Sequence, residues 1–395
     1  MYASPAVRRP FLGLAALFTA AFTTITTETL PMGLLPAMSR DLEVTQSWIG
    51  LLVGAYALLI MIVTLPLVAL TSRWPRRRLL VVIMAAFAVG NLLMAVAPNY
   101  PVAVAARLIA GLGHGVLWSA MASYATRLVT ADRAGRAVAV VFAANSAALT
   151  LGVPLGTVIG DAAGWRIPFA ILAAIALLLV AAAPVTLPDI PGDSATSPGV
   201  GRAARIPGVR GVLVITALVM TGHFVLHTYV VPVLVRAGVP ERGVGPALFA
   251  FGLAGIAGTV AAGAAADRPS RTVLPAALGL MTVSVAALAL ARGGLAVAAT
   301  AFWGAAYAAL PILLQTAVLK VARHAQTGAS ALFIITFNVS IAAGSIIGGQ
   351  LLTVSGPWSL PAVTAVLAAA ACATAARRST RRLPPGPAEP VEQPA

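Results

Sequence analysis

Twelve apolar blocks, each about 20 residues long, run through the sequence and limit what the chain can fold into. A helix needs about 20 apolar residues to cross the hydrocarbon core of a bilayer. Only 9% of the 395 residues are charged, whereas soluble domains carry about 25%, so a water-exposed surface could not be covered. We therefore predict an all-α polytopic membrane protein with twelve transmembrane helices, spans 1 to 12, at about 11–36, 48–71, 79–98, 101–128, 137–160, 167–187, 210–235, 244–266, 272–291, 295–320, 328–353 and 359–376.

Basic residues collect on one side of this predicted helix array. If both termini lie in the cytoplasm, most of the 26 Lys and Arg residues fall in cytoplasmic segments. The outer segments then hold only Arg40, Arg166, Arg236, Arg242 and Arg292. This asymmetry follows the positive-inside rule, so we predict a multi-pass protein of the cell (plasma or inner) membrane with both termini cytoplasmic. The same pattern accounts for the net charge of +15 without a nucleic-acid partner.

The longest break, "PDIPGDSATSPGVGRAARIPGV", divides the spans six and six. It is rich in Pro, Gly and Ser and has no apolar face, which is typical of a linker. We therefore predict a cytoplasmic N-terminus, an N-terminal six-helix bundle, a cytoplasmic linker, a C-terminal six-helix bundle and a disordered cytoplasmic tail, at 1–10, 11–187, 188–209, 210–376 and 377–395.

The two groups of six spans repeat one another. "VALTSRWPRRR" (68–78) matches "GAAADRPSRTV" (263–273) at an offset of 195. "ANSAALTLGVPLGTVIGDAAGW" (144–165) matches "FNVSIAAGSIIGGQLLTVSGPW" (337–358) at an offset of 193. Each group begins and ends on the same side, so the sequence predicts two pseudo-symmetric bundles related by an axis along the membrane normal. Transporters with such parallel repeats rock two bundles around a central site.

A glutamate and an arginine, Glu28 and Arg107, lie inside predicted spans at similar depth. Glu28 is roughly 25 Å along span 1 from its cytoplasmic end and Arg107 roughly 9 Å along span 4 from its outer end. Burial disfavours a charged carboxyl unless a cation is near, so movement of Arg107 would change how tightly Glu28 holds a proton. We predict a proton-coupling or substrate-contacting pair; the alternative is a structural ion pair that ties spans 1 and 4.

Histidines supply further candidates for the centre of the bundle. His114 shares one face of span 4 with Arg107, where it takes part in proton or substrate contact or hydrogen-bonds a neighbouring helix. His223 and His227 lie four residues apart in "TGHFVLHTYVVP" of span 7. Zinc usually needs at least three protein ligands, so we predict cavity-lining groups rather than a metal site, with hydrogen bonds between helices as the alternative.

Uncharged polar side chains are sparse in the spans, and two of them match across the repeat. Asn145 falls on Asn338 at the offset of 193, and we include both as candidates for the substrate cavity. So few polar groups suit an amphiphilic or weakly polar solute better than a polyanion, which would require several arginines in the cavity.

Four motifs at matching spans carry a family resemblance. They are "ETLPMGLLPAMSRDLEV" at the end of span 1, "ARLIAGLGHG" in span 4, "LGVPLGTVIGDAAGWRIPF" in span 5 and "GAAADRPSR" after span 8. Over about residues 11–376 the sequence resembles the twelve-span drug:proton antiporter family of the major facilitator superfamily, in its branch of chloramphenicol exporters and sugar-efflux proteins. The first copy of the loop motif departs from the pattern, with Val68 and Ser72 in place of glycine and aspartate.

The resemblance implies two gating elements. One is a seal and hinge in span 5 formed by Gly152, Pro154, Gly156 and Gly160; small residues four apart also allow simple close helix packing, which is the alternative. The other is a charge relay that holds the inward gate closed, formed by Gly263, Asp267, Arg268 and Arg271; the alternative is a tight turn that only follows the positive-inside rule. Because Ser72 replaces the aspartate of the first copy, such a lock would be one-sided.

Secondary active efflux of a small organic molecule or drug, driven by proton influx and working by alternating access, is the function that we expect. The alternative is facilitated or proton-linked transport of a sugar or metabolite. The sequence has no G-x-x-x-x-G-K-[ST] loop, so ATP does not drive transport directly. An enzyme would show clustered catalytic groups and a receptor a sizeable loop or tail domain, so we favour neither. We expect no cofactor and no metal; the partners are protons, a small-molecule substrate and the lipid bilayer, and the chain is a monomer.

Overall fold

The structure is a computed structural model and describes residues 10–130, 133–192, 200–264, 270–322 and 325–380. The first half of the chain forms spans 1 to 6. Their helices are Pro10–Gly33, with a short continuation Leu35–Asp41, then Gln46–Thr71, Arg76–Ala95, Tyr100–Arg127, Ala134–Ala163 and Arg166–Thr186. Span 5 contains one π-helical turn at Ala148–Gly152, which ends two residues before Pro154. Proline cannot donate to the preceding turn and its ring crowds that turn, which explains the local widening.

The second half forms spans 7 to 12. Their helices are Pro207–His227, with a short continuation Val230–Arg236, then Glu241–Ala264, Ser270–Leu290, Gly294–Val321, Gln326–Ser355 and Ser359–Thr380. A five-residue linker helix, Val200–Ala204, precedes span 7 and packs on span 11. Twelve helices within the described residues are long and apolar enough to cross a bilayer. The predicted fold class of twelve transmembrane helices in two pseudo-symmetric bundles is confirmed.

Two predicted spans are interrupted by a break that the sequence patterns did not indicate. Span 1 breaks at Leu34 and span 7 at Tyr229, and a seven-residue helix follows each break. A proline, Pro36 or Pro232, lies in the first turn of each short helix, a position that proline tolerates. The two breaks are 195 residues apart, so they fix the register of span 1 against span 7 at the offset of the repeat.

The two halves meet mainly at one end of the bundle. We call the end that carries Pro10 and Thr380 the proximal end and the opposite end the distal end. Span 2 packs on span 11, and span 5 packs on span 8. One apolar core joins distal residues of the first half to most of the second half, whereas a second core belongs to the first half alone. The bundle is therefore closed most tightly across its distal half.

Candidate functional site

Arg107 is bound by the main chain of span 1. Its guanidinium donates from Nη1 to the carbonyl oxygen of Thr27 and from Nη2 to that of Glu28, at 2.5 and 2.9 Å. Pro31 lies four residues after Thr27 inside the helix and has no N–H, so the Thr27 carbonyl lacks its usual helical donor. Arg107 supplies that missing donor across the interface between spans 1 and 4.

The aromatic ring of Tyr56 covers the same guanidinium. The Cζ atom of Arg107 lies 4.2 Å from the centroid of the Tyr56 ring, a cation–π distance. Only 1% of the Arg107 surface is exposed. The ion pair between Arg107 and Glu28 that the sequence suggested is not formed among the described residues: the arginine binds carbonyl oxygens of span 1 because Pro31 leaves one of them without a donor. Because Nη2 of Arg107 binds the main-chain carbonyl oxygen of Glu28, the guanidinium lies beside this residue without an ion pair to its carboxylate.

The Glu28 carboxylate instead faces His114. Oε2 of Glu28 lies 3.6 Å from Nε2 of His114, and the side chains are 12% and 10% exposed. The other ring nitrogen, Nδ1 of His114, lies 3.0 Å from the hydroxyl of Tyr56. Spans 1, 2 and 4 therefore contribute one side chain each to a chain of polar contacts, Glu28–His114–Tyr56, which we call the polar triplet. Tyr56 joins the polar triplet to Arg107, because its ring contacts the guanidinium and its hydroxyl contacts the histidine.

His223 and His227 lie in a cluster of aromatic rings in the second half. His223 stacks on Tyr307 with ring centroids 3.5 Å apart and planes within 1° of parallel. His227 also stacks on His223, with ring centroids 4.8 Å apart. Trp303 and Phe251 complete the cluster. Hydrogen bonds between helices, the alternative interpretation of these histidines, are not formed by His223 among the described residues, because both of its ring nitrogens are buried without a partner.

The two candidate asparagines are not part of either cluster. Asn145 is exposed on span 5. Asn338 donates from its side chain to the carbonyl oxygen of Ile334 on its own helix, at 3.0 Å. Nothing in the described structure brings either of them to Glu28, so both stay predictions as substrate contacts.

The comparison with known families decides the class of protein. A family model described as the Major Facilitator Superfamily matches residues 17–333. The chain belongs to the major facilitator superfamily. It is therefore a multi-pass membrane transporter, as the motifs predicted.

Curated relatives and solved structures agree with this membership. Two proteins named chloramphenicol efflux pump, from two strains of Mycobacterium tuberculosis, are 37% identical over 352 residues, which is 86% of this chain and 85% of theirs. The xylose transporter XylE from E. coli has a TM-score of 0.72 at 17% identity, covering 92% of this chain and 98% of that one. A bacterial homologue of the human lysosomal transporter Spinster has a TM-score of 0.78 at 15% identity, covering 97% and 100%. At these identities the two solved structures show the shared superfamily fold.

The glycine stripe of span 5 packs against span 1 of this superfamily transporter. A methyl group added at Gly152, Gly156 or Gly160 would meet Thr26, Leu30 or Leu34 respectively. The three glycines therefore allow close packing inside the first half, where small residues let two helices approach. The opposite face of span 5 meets the second half, with Val158 against Gly245 and Thr150 against Gly252. The role of Gly152, Pro154, Gly156 and Gly160 as a hinge stays a prediction.

Two of the four residues of the predicted charge relay lie outside the described residues. Asp267 and Arg268 lie in the gap 265–269, Gly263 is the second-last residue of the span 8 helix, and Arg271 lies in the first turn of span 9. In the first half, Ser72 only caps the preceding turn, bonding the carbonyl oxygen of Ala69 at 3.0 Å. The acid near this loop comes from the linker, where the Asp189 carboxylate lies 3.4 Å from the Arg77 guanidinium.

A set of small polar contacts closes the distal end, and the sequence analysis missed it. The hydroxyl of Ser47 in span 2 donates to the carbonyl oxygen of Gly349 at 2.8 Å and lies 2.7 Å from the hydroxyl of Thr353 in span 11. The hydroxyl of Tyr229, at the break in span 7, donates to the carbonyl oxygen of Ser345 at 2.8 Å. The phenol ring also packs against Gly50 of span 2. Serines and threonines near helix ends carry too weak a sequence signal to single out such contacts.

Proposed function

We propose that this transporter exports a small organic molecule in exchange for protons, and that Glu28 carries the proton. The observation that supports this proposal is the environment of its carboxylate. It lies inside span 1, in contact with His114, and no lysine or arginine among the described residues is bound directly to it. An ionisable group held in the membrane interior at such cost is a candidate for proton transfer.

The contacts of the polar triplet provide a route for coupling protonation to helix position. When Glu28 is charged, it attracts the N–H of His114 and the nearby Arg107 guanidinium. When Glu28 is protonated, both attractions weaken. Because His114 and Arg107 are on span 4 whereas Glu28 is on span 1, the proton changes how strongly these spans hold one another. Arg107 stays bound to the Thr27 carbonyl in either case, so the two helices separate little while their polar side chains rearrange.

Chloramphenicol is the solute that the names of the curated relatives suggest for a first test. We propose an amphiphilic, uncharged solute of this kind because charged side chains are rare in the spans, and the buried polar side chains beside Glu28 on span 1 are neutral threonines. Candidate contacts are His114, His223 and His227, with Asn145 and Asn338 kept as proposals from the repeat.

Transport in liposomes tests the proposal. Purified protein is reconstituted, a pH difference is imposed, and movement of labelled chloramphenicol is measured for the wild type and for Glu28→Gln. We expect pH-driven transport to be lost in Glu28→Gln while exchange of labelled for unlabelled solute at equal pH continues. Glu43→Gln, an exposed acid outside the spans, is the matched control and should transport like the wild type. Equal pH-driven transport by Glu28→Gln and the wild type would refute the role of Glu28.

We further propose the predicted topology: both termini in the cytoplasm, the linker 188–209 on the same side, six-helix bundles at 11–187 and 210–376, and a monomeric chain in the cell membrane. The charge asymmetry of the loops supports this orientation. A cysteine introduced in the linker of intact cells, in a Cys372→Ser background, should resist a membrane-impermeant thiol reagent. Labelling from outside would reverse the topology.

A further inference from the structure

The repeat places a second triplet of side chains opposite the polar triplet. The breaks at Leu34 and Tyr229 fix span 1 on span 7 at the offset of 195, so Glu28 corresponds to His223. The same offset in spans 2 and 8 relates Tyr56 to Phe251.

Spans 4 and 10 complete the correspondence. "AVAAR" (103–107) matches "AVAAT" (296–300) at the offset of 193 that spans 5 and 11 also show, which relates His114 to Tyr307. The contacts agree with this register. A methyl group added at Gly111 would meet the ring of Tyr56 at 3.3 Å, and one added at the corresponding Gly304 would meet the backbone of Phe251.

The two triplets have the same positions but different chemistry. The polar triplet is linked by a hydrogen bond and an acid–imidazole contact. The second triplet, His223–Tyr307–Phe251, is linked by ring stacking, with Phe251 and Tyr307 centroids 6.2 Å apart and planes at 27°. We call it the ring triplet. Trp303 lies beside it, 5.2 Å from His223 and 4.9 Å from Phe251.

Several polar atoms of the ring triplet and its neighbours have no partner. Among the described residues, both ring nitrogens of His223, Nδ1 of His227 and Nε1 of Trp303 are buried without a hydrogen bond. Buried polar atoms without partners cost free energy, so a cluster of them needs an explanation. The ring of His223 supplies one donor and one acceptor, and Nε1 of Trp303 supplies a further donor, all at the edges of flat rings. This combination suits a flat ligand with hydrogen-bonding substituents.

Tyr307 is the member that a solute reaches first. It is half-buried, whereas His223 and Trp303 are fully buried behind it. Because Glu28 and His223 occupy corresponding positions in the two halves, we expect the two triplets to face one another across the bundle. The ring triplet carries no charged side chain, so it favours an uncharged solute.

We infer that the two halves divide the transport reaction: the polar triplet exchanges the proton, and the ring triplet with Trp303 stacks the flat ring of an uncharged aromatic solute that carries hydrogen-bond acceptors. This inference rests on the proposed function, because it assigns the solute of that same site. Aromatic stacking on Tyr307 supplies affinity. The unpaired N–H groups of His223 and Trp303 are fully buried in this conformation, so they select solutes with acceptors such as nitro or carbonyl oxygens only once the rings in front of them move.

Equilibrium binding to the purified full-length protein tests the assignment without transport. Labelled chloramphenicol is the probe, and 4-nitrobenzyl alcohol and cyclohexylmethanol are the competitors. We expect 4-nitrobenzyl alcohol to displace the probe and cyclohexylmethanol to displace it poorly. Tyr307→Leu should weaken chloramphenicol binding roughly fivefold or more, and Tyr307→Phe, which keeps the ring, by less than about twofold. Equal binding by Tyr307→Leu and the wild type, or equal competition by the two alcohols, would overturn the assignment.

Tryptophan fluorescence provides a second measurement with conservative variants. Nitroaromatic compounds quench an indole that they contact, so bound chloramphenicol should quench the wild-type protein. Trp303→Phe should remove most of this quenching, whereas Trp358→Phe, an exposed residue beyond the end of span 11, should leave it unchanged. Quenching that persists in Trp303→Phe would place the ring elsewhere.

The two proposals fail differently. If binding shows no preference for aromatic rings while pH-driven transport is intact, the assignment of solute binding to the ring triplet is refuted and the proposed role of Glu28 is unaffected. If binding is selective for aromatic rings but no pH-driven transport occurs, the proposed role of Glu28 is refuted and the assignment of the ring triplet is unaffected.

Discussion

At the scale of single residues, a proline in span 1 creates an unpaired carbonyl group and an arginine in span 4 satisfies it. Pro31 leaves the Thr27 carbonyl without its helical donor, and Arg107 provides that donor from span 4. A buried carbonyl without a partner costs about 1–3 kcal/mol. The main structural role of Arg107 is therefore to link spans 1 and 4. This link also holds its positive charge at a fixed position beside Glu28.

A double-mutant cycle tests this link. Arg107→Met removes the donor, and we expect a clear fall in melting temperature because the Thr27 carbonyl loses about 1–3 kcal/mol of stabilisation. In a Pro31→Ala background the helix supplies its own donor, so the same change should cost less. Pro66, inside span 2, provides the control: Pro66→Ala and Arg107→Met should be additive. Additivity of Pro31→Ala and Arg107→Met would contradict the link.

The sequence identified Glu28, Arg107 and His114 as candidates for one site, but it did not predict which of their atoms are in contact. The depths of Glu28 and Arg107 follow from counting residues along two helices, and this placed them at one level. Which atoms touch depends on the rotation of each helix about its axis, which apolar periodicity leaves open in spans that are apolar all round. The four-residue spacing from Thr27 to Pro31 was the one available signal that the arginine would bind a carbonyl.

At the scale of elements, the contact between spans 5 and 8 depends on the absence of a side chain at Gly252. A methyl group there would lie 2.8 Å from the Leu149 carbonyl oxygen and against the backbone of Thr150, at the π-helical turn of span 5. Backbone atoms cannot move aside as a flexible side chain can. The closed contact between the halves therefore requires glycine at this position.

Gly252→Ala should slow transport while the protein still folds, because overpacking by one methyl group costs about 1–3 kcal/mol and here falls on only one of the transporter's conformations. Maximal transport rate and melting temperature are measured together. Gly279→Ala, where an added methyl group meets no atom within 4 Å, should leave transport unchanged. A Gly252→Ala protein with the wild-type transport rate would show that the halves do not need this close approach.

The internal repeat is the element-scale signal that predicted most. It agrees with the six-and-six division of the helices, and its offset of 195 equals the separation of the two breaks, which the sequence patterns did not indicate. The repeat also relates Glu28 to His223. It did not indicate that Tyr307 and Phe251 are the partners of His223, because stacking between rings on different helices produces no periodic pattern in the sequence. The loop residues Asp267 and Arg268 stay predictions, with Asp267→Asn expected to weaken transport more than Ser72→Ala.

At the scale of the whole molecule, the distal contacts describe one conformation, and the proposed alternating access requires the distal end to open in another. Ser47 and Thr353 join spans 2 and 11 through hydroxyls 2.7 Å apart. Alternating access requires this contact to break in every cycle.

A reversible cross-link tests that requirement. Ser47→Cys and Thr353→Cys are combined with Cys372→Ser, so that only the introduced pair can form a disulfide. Oxidation should stop transport, and a reducing agent should restore it. The single-cysteine proteins provide the controls and should transport under both conditions. Undiminished transport by the oxidised double variant would mean that the distal end does not open.

Proton release on solute binding tests the central claim most directly. Chloramphenicol is added to the purified protein in weakly buffered solution, and the pH change and the bound solute are recorded for the wild type and Glu28→Gln. Because the solute and the proton compete in an exchanger, we predict that the wild type releases protons as it binds, and that Glu28→Gln binds without release. Equal release from both proteins, or binding by the wild type without any release, would contradict the assignment of the transported proton to Glu28.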